Sequence, residues 1–142
     1  MSAHLQTKPL VARTCWPLPL YLTPVSAGFP SPAEDYLDRA LDLNELLISN
    51  PAATFYVRAS GDSMRDAGIQ SGDILVVDRA IEARPGKIVI AAVDGELTVK
   101  RLRVKDGRLY LAPENPAYPL LEVSPETSFE IWGVVTCVIH RT

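Results

Sequence analysis

Three places in this chain carry groups that could make or break a peptide bond. The turn Ala59-Ser60-Gly61-Asp62-Ser63-Met64 places a hydroxyl on each side of a glycine, where a strand-like run stops and the backbone must bend sharply. Such a bend can present a serine oxygen and leave nearby N–H groups without ladder partners, the raw material of an oxyanion hole. Serines in glycine-rich turns also serve simply as turn formers. Lys100 stands inside LTVKRLRV, residues 97–104. By side-chain alternation it shares a face with Thr98, Leu102 and Val104, so that either a half-apolar setting or an ordinary solvated strand lysine fits the pattern. The third place is Val25-Ser26-Ala27 followed by Gly28, a run of small residues after an apolar one, with prolines at 19, 24, 30 and 32 that exclude helix around it. It has the form of a cleavage site.

A serine nucleophile needs a base. The two histidines, His4 and His140, lie near the chain ends, so a Ser-His-Asp triad is not expected. Lysine is the alternative, and its demand is steep: at an ordinary pKa near 10.4 only about one lysine in 2,500 is neutral at pH 7. A lysine base must come down by roughly three pKa units, about 4 kcal/mol against the charged form, and burial among apolar groups is the usual means. Held neutral in that way, it can take a serine proton without a third residue to orient it.

The elements that would position these groups are mostly strands. At 142 residues, 47% hydrophobic and 22% charged, the chain has the composition of a compact globular domain, and a net charge of −3 gives no general pull toward nucleic acid or acidic membranes. The pattern predicts strands over Thr54–Ala59, Asp73–Val77, Lys87–Val93, Leu97–Val104, Arg108–Leu111 and Phe129–Ile139. Asp94-Gly95 and Asp106-Gly107 read as tight hairpin turns that join three of these into an antiparallel meander. ILVV at 74–77 and IVIAAV at 88–93 are apolar on both faces, as in central strands. Ahead of the β region, Ser31-Pro32-Ala33-Glu34 has the form of a capping box with proline at the first helical position, predicting a short helix that carries Tyr36, Leu37 and Leu41 inward. Asp42 to Ile48 reads as another turn or two of helix, ended by Asn50-Pro51.

The small-residue site admits other readings on the same residues. A secretory signal would need an unbroken apolar segment of about 7–15 residues, whereas CWPLPLYLTP carries three prolines. No stretch approaches the roughly 20 apolar residues of a membrane span. The cysteines, Cys15 and Cys137, show no CxxC spacing, which indicates neither a zinc site nor a disulfide framework and suits a reducing cytoplasm. No cofactor or metal is expected. Arg101, Arg103, Lys105 and Arg108 make a basic hairpin that serves as a solvated edge or as a contact for an acidic partner surface or DNA, the solvated edge being the expectation, and strong direct DNA binding is not expected.

From about Gly28 to Thr142 the chain resembles the LexA/UmuD family of self-cleaving peptidases, UmuD most and the LexA peptidase domain more distantly. The likeness rests on GFPSPAEDY, DLNELLI, SGDSM, GDILVVD, KIVIAAVDGELTVKRL and PENPAY. The pairing of SGDSM with DGELTVKRL 37 residues on (63 to 100) is its most specific part. The resemblance implies a mainly β, LexA-like peptidase domain of twisted antiparallel sheets over residues 28–142, behind an extended arm, residues 1–27, that is removed by self-cleavage. It implies Ser63, not Ser60, as nucleophile and Lys100, not Arg101, as general base. Further implications are a scissile bond at Ala27-Gly28, a small apolar pocket for Val25, and an oxyanion hole from the backbone of Asp62 and Ser63. Cleavage stimulated by the RecA filament on single-stranded DNA is implied too, as is a truncated homodimer acting with a UmuC-like polymerase in translesion synthesis. A LexA-like repressor fragment and a signal-peptidase-like protease acting in trans are the alternatives. The first would need a helix-turn-helix ahead of the cut, where 27 residues hold four prolines, and the second a membrane anchor.

Overall fold

The computed structural model describes residues 15–21, 24–28 and 37–142. The chain forms two compact units, Met1–Leu46 and Leu47–Thr142. The bond expected to be cut, Ala27-Gly28, lies within the first.

In the first unit, β1 (Leu18–Tyr21) pairs antiparallel with β2 (Leu37–Leu41), with Leu18 opposite Leu41 and Pro19 opposite Ala40. The helix expected from Ser31 begins outside the described residues, and its second half is strand instead. Leu37 and Leu41 are four apart, a spacing that suits one stripe of a helix and equally one face of a strand. The partner strand across the bend decides between them, and sequence periodicity does not contain that partner. A proline is tolerated in β1 because each strand of a two-stranded sheet is an edge. Next comes α1 (Leu43–Leu47), where the Asn44 amide donates to Asp42 Oδ1 at 3.0 Å, so Asp42 caps the helix as expected of the 42–48 segment.

The second unit is one seven-stranded antiparallel sheet. Its strands are β3 (Thr54–Arg58), β4 (Ile74–Asp78), β5 (Ile88–Val93), β6 (Glu96–Lys105), β7 (Arg108–Ala112), β8 (Leu121–Val123) and β9 (Phe129–Ile139). Their order across the sheet is β3-β4-β9-β5-β6-β7-β8. All six predicted strands are present, with ends shifted by at most a residue. Short β8 extends the β5-β6-β7 meander and was not anticipated. Both Asp-Gly pairs adopt positive φ at each residue, Asp94 48° and Gly95 85°, Asp106 52° and Gly107 74°, the backbone of the hairpin turn that matches strand twist.

β9 is long because it serves two partners. Its first half pairs with β5, from Val93↔Phe129 to Val89↔Val134, and its second half with β4, from Asp78↔Val134 to Ile74↔Ile139. Both ladders shift register near the changeover, at Val76/Val77 and at Ile90/Ala91. One core cluster gathers Met64, Ile69, Leu75, Val77 and Ile90, and a second gathers Val89, Ala91, Leu102, Leu111 and Val134. β5 feeds alternate residues to both, which is why its sequence is apolar throughout. Gly133 sits at the changeover, and a Cβ there would lie 2.7 Å from Val77 Cγ1 and 3.2 Å from the Asp78 carbonyl oxygen. Replacing Gly133 by alanine should therefore destabilise the protein by about 1–3 kcal/mol through overpacking, read as a lower midpoint in urea melts with an unchanged slope.

Candidate active site

The serine turn begins where β3 ends. Gly61 takes φ 87°, a conformation that favours glycine, and its amide donates to Ser71 Oγ at 3.1 Å. Asp62 and Ser63 follow, and Met64, 2% exposed, is driven into the first core cluster. The buried methionine fixes the turn from below, leaving Ser63 half-buried at the surface of the sheet while Ser60 is exposed. A short 3₁₀ turn, Arg65–Ala67, and Gly68 in the left-handed conformation close the bend.

Lys100 comes from the middle of β6, paired with Val89 of β5. Its Nζ lies 3.1 Å from Ser63 Oγ, 2.8 Å from Thr98 Oγ1 and 3.1 Å from the Val99 carbonyl oxygen. An ammonium has three N–H donors, and each finds an acceptor here. A neutral amine has two N–H groups and a lone pair. With its hydrogens on Thr98 and the Val99 carbonyl, the lone pair faces the Ser63 hydroxyl. Burial pushes the Lys100 amine below the ordinary lysine pKa, because the charged form loses hydration that the neutral form scarcely needs. The walls that exclude water belong to an open cleft of about 290 Å³, in which Val57, Leu75, Ile90, Leu97 and Val99 flank the two polar groups.

The loop after β7 completes the site. β7 leaves β6 at the Arg101↔Ala112 pair, and the chain then runs along the serine turn. The Glu114 amide donates to the Ser63 carbonyl at 2.8 Å, and the Asp66 amide donates to the Glu114 carbonyl, also at 2.8 Å. Buried Asn115 donates from Nδ2 to the Asp62 carbonyl at 2.9 Å, and its Oδ1 accepts from the Ala117 amide at 3.0 Å. The Tyr118 hydroxyl donates to the Asp62 carboxylate, a bond that holds the phenol above its usual pKa. The PENPAY segment thus clamps the turn that presents Ser63. Among the described residues, the Ser63 amide donates to no acceptor.

The family resemblance implies Ser63 and Lys100 as the pair, and the fold brings them into contact. Arg101, the neighbour set aside as base, turns to Glu114 and to the Gly86 carbonyl. His140 is engaged by buried Asp73 at 2.6 Å. Val25, Ala27 and Gly28 are exposed in the first unit, Val25 at 95%, and the Gly28 amide donates to Ser26 Oγ at 3.3 Å. The clamp formed by Glu114, Asn115 and Tyr118 was not foreseen as a contact to the serine turn. Its signal was confined to a motif whose partner lies about fifty residues earlier in the chain.

Residues 19–136 match the family model described as Peptidase S24-like. The chain is 56% identical over 124 residues to Protein SamA of Salmonella typhimurium, covering 87% of this chain and 86% of that protein. It is 48% identical over 120 residues to Protein MucA of Escherichia coli, covering 84% and 82%. The LexA repressor of Paracidovorax citrulli is 42% identical over 118 residues, which cover 83% of this chain and 52% of the repressor. Among the described residues no helix is long and apolar enough to cross a membrane. The family model spans most of the chain and the relatives cover more than four fifths of it, so the chain belongs to the S24-like peptidase family, on the UmuD side, with LexA a more distant relative.

Proposed function

We propose that the protein is a serine endopeptidase that cuts itself between Ala27 and Gly28, with Ser63 as nucleophile and Lys100 as general base. The observation that carries this reading is the 3.1 Å approach of Lys100 Nζ to Ser63 Oγ in a cleft with apolar walls. Neutral Lys100 takes the hydroxyl proton as Oγ attacks the Ala27 carbonyl carbon. The tetrahedral oxyanion is received by the backbone amides of Ser63 and Asp62. Collapse breaks the Ala27–Gly28 bond, and the Lys100 ammonium returns its proton to the departing Gly28 amine. The remaining ester between Ala27 and Ser63 is hydrolysed by water, with Lys100 again the base. Val25 fills an apolar recess of the cleft. A segment tethered to its own catalytic groups is present at high effective concentration, so a modestly primed dyad suffices.

On this reading residues 1–27 are the arm that is removed, and 28–142 the lasting product. The relatives on the UmuD side support an SOS context. In it the RecA filament on single-stranded DNA shifts the arm toward a cleavage-competent state, and the truncated homodimer serves a UmuC-like polymerase in translesion synthesis. The basic hairpin lends little to direct DNA binding, because Arg101 and Arg103 face Glu114 while Arg108 faces Glu122.

Purified protein followed by mass spectrometry should release the residue 1–27 peptide. Ser63→Ala and Lys100→Ala should fold and stay intact, and a Lys100→Ala protein that cuts at the parental rate would refute the dyad. Because burial lowers the Lys100 pKa, the neutral fraction and the rate should both climb with pH, starting below the ordinary lysine range. The same shift fixes a stability trend. Between the folded pKa and the ordinary value near 10.4 the unfolded chain binds more protons, so stability gained from this group rises with pH across that window. Lys100→Met should therefore melt higher than the parent at neutral pH, with the difference shrinking toward pH 10. Activated RecA filament should accelerate cutting at pH 7, and an unaltered rate would point to another regulator.

A further inference from the structure

The dyad joins two pieces of backbone that belong to different parts of the sheet: Ser63 rides on a turn after β3, and Lys100 on β6. Among the described residues no backbone ladder joins them, since β6 pairs there with β5 and β7. Something else must set their separation.

We propose that Glu114 is a positioning residue that holds Ser63 and Lys100 in register, a role that rests on the dyad reading above. Its backbone grips the serine turn at two points, donating to the Ser63 carbonyl and accepting from the Asp66 amide, both at 2.8 Å. Its carboxylate grips β6 at Arg101, the residue next to Lys100, through the Arg101 Nε–H. Arg101 is anchored in turn by Nη1–H donation to the Gly86 carbonyl at 2.6 Å, and the Gly86 amide donates to the Leu102 carbonyl at 2.7 Å. One residue therefore touches both halves of the dyad's scaffold, and β6 is held at Arg101 and at Leu102, the two residues that follow Lys100.

The pair is suited to that role by its setting. The Arg101 and Glu114 side chains are 24% and 26% exposed, so water screens the contact less than it would a surface pair. Arg103, more exposed, approaches the same carboxylate at 3.7 Å and is the other cation facing it. The Ser63–Lys100 contact at 3.1 Å is near the upper end of hydrogen-bond range, so a shift of about an ångström between turn and strand breaks it. Glu114 shares no atom with the reaction. It acts through the distance between two groups that do.

The test uses the full chain and follows peptide release at 25 °C from pH 7 to 10, normalised to the folded fraction by circular dichroism. Glu114→Ala and Arg101→Ala should each cut about 10- to 100-fold more slowly per folded molecule, the order of loss expected from a displacement near an ångström. The midpoint of the rate–pH profile should move upward, because a Lys100 that leaves its place is better hydrated. The double variant should be no slower than the slower single one, as for residues acting through each other. A purely structural ion pair would lower the melting temperature while leaving the rate and midpoint of the folded fraction unchanged, and that result would overturn the proposal. Should Glu114→Ala fail to fold, Glu114→Gln, which keeps the shape and one acceptor, should show the same upward midpoint with a smaller loss, and a parental profile would again overturn it. Ser63→Ala separates the two readings: release from it at the parental rate removes the dyad itself, whereas an inert Ser63→Ala beside a fully active Glu114→Ala removes only the brace.

Discussion

The site depends on a lysine amine that water cannot fully reach. An amine at the end of a four-carbon chain ordinarily swings into solvent, where it stays protonated and useless as a base. Here three acceptors, Ser63 Oγ, Thr98 Oγ1 and the Val99 carbonyl, hold it against the cleft wall. These bonds work in two directions. They compensate the charged form for lost hydration, which keeps the group from being prohibitively costly, while the surrounding apolar side chains bias it toward neutrality. The balance between them, rather than either alone, sets how much free amine exists at a given pH.

The sheet exists in the form that makes this possible. β9 runs first along β5 and then along β4, and both ladders shift register near the changeover, so that β3 and the serine turn after it lie on one half of the sheet and β6 with Lys100 on the other. At that changeover Gly133 packs closely against Val77 and Asp78. β7 departs from β6 at Arg101, the residue after Lys100, and the serine turn comes up to Lys100, pinned by Met64 below and by the 114–118 loop beside it. Function here is a consequence of where strands stop as much as of where they run.

Much of this was legible beforehand for reasons that differ by element. The hairpins at Asp94-Gly95 and Asp106-Gly107 were readable because turn chemistry is local: two consecutive residues at positive φ restrict the choice of side chains severely. β4 and β5 were readable because burial on both faces leaves an unbroken apolar run. Leu37–Leu41 reads as helix because its leucine spacing fits both periods and a capping box precedes it, while the strand that decides the matter, Leu18–Tyr21, lies far back in the chain. β8 is three residues long, too short for alternation to register. Ser63 and Lys100 were named by the family resemblance, since their surroundings alone left Ser60 and a solvated lysine as alternatives, whereas their contact, and the part played by Thr98, Glu114 and Asn115 around them, depends on pairings across the sheet that no window of sequence contains.

The choice of lysine over histidine has a physical corollary on the self-cleavage reading. A histidine base is largely neutral at pH 7 whether or not substrate is present, so a serine beside it stands ready at all times. A lysine in an open cleft is different, because its neutral fraction depends on how much water remains around it. When an apolar segment such as the one around Val25 enters, it removes hydration from the ammonium and favours the form that can accept the Ser63 proton. Binding of the arm and activation of the base are then one event, and anything that shifts the arm toward the cleft raises both the occupancy and the reactivity of the site. A slow reaction that waits on a regulator needs no separate lock, since the same desolvation that makes the chemistry possible withholds it until the arm arrives.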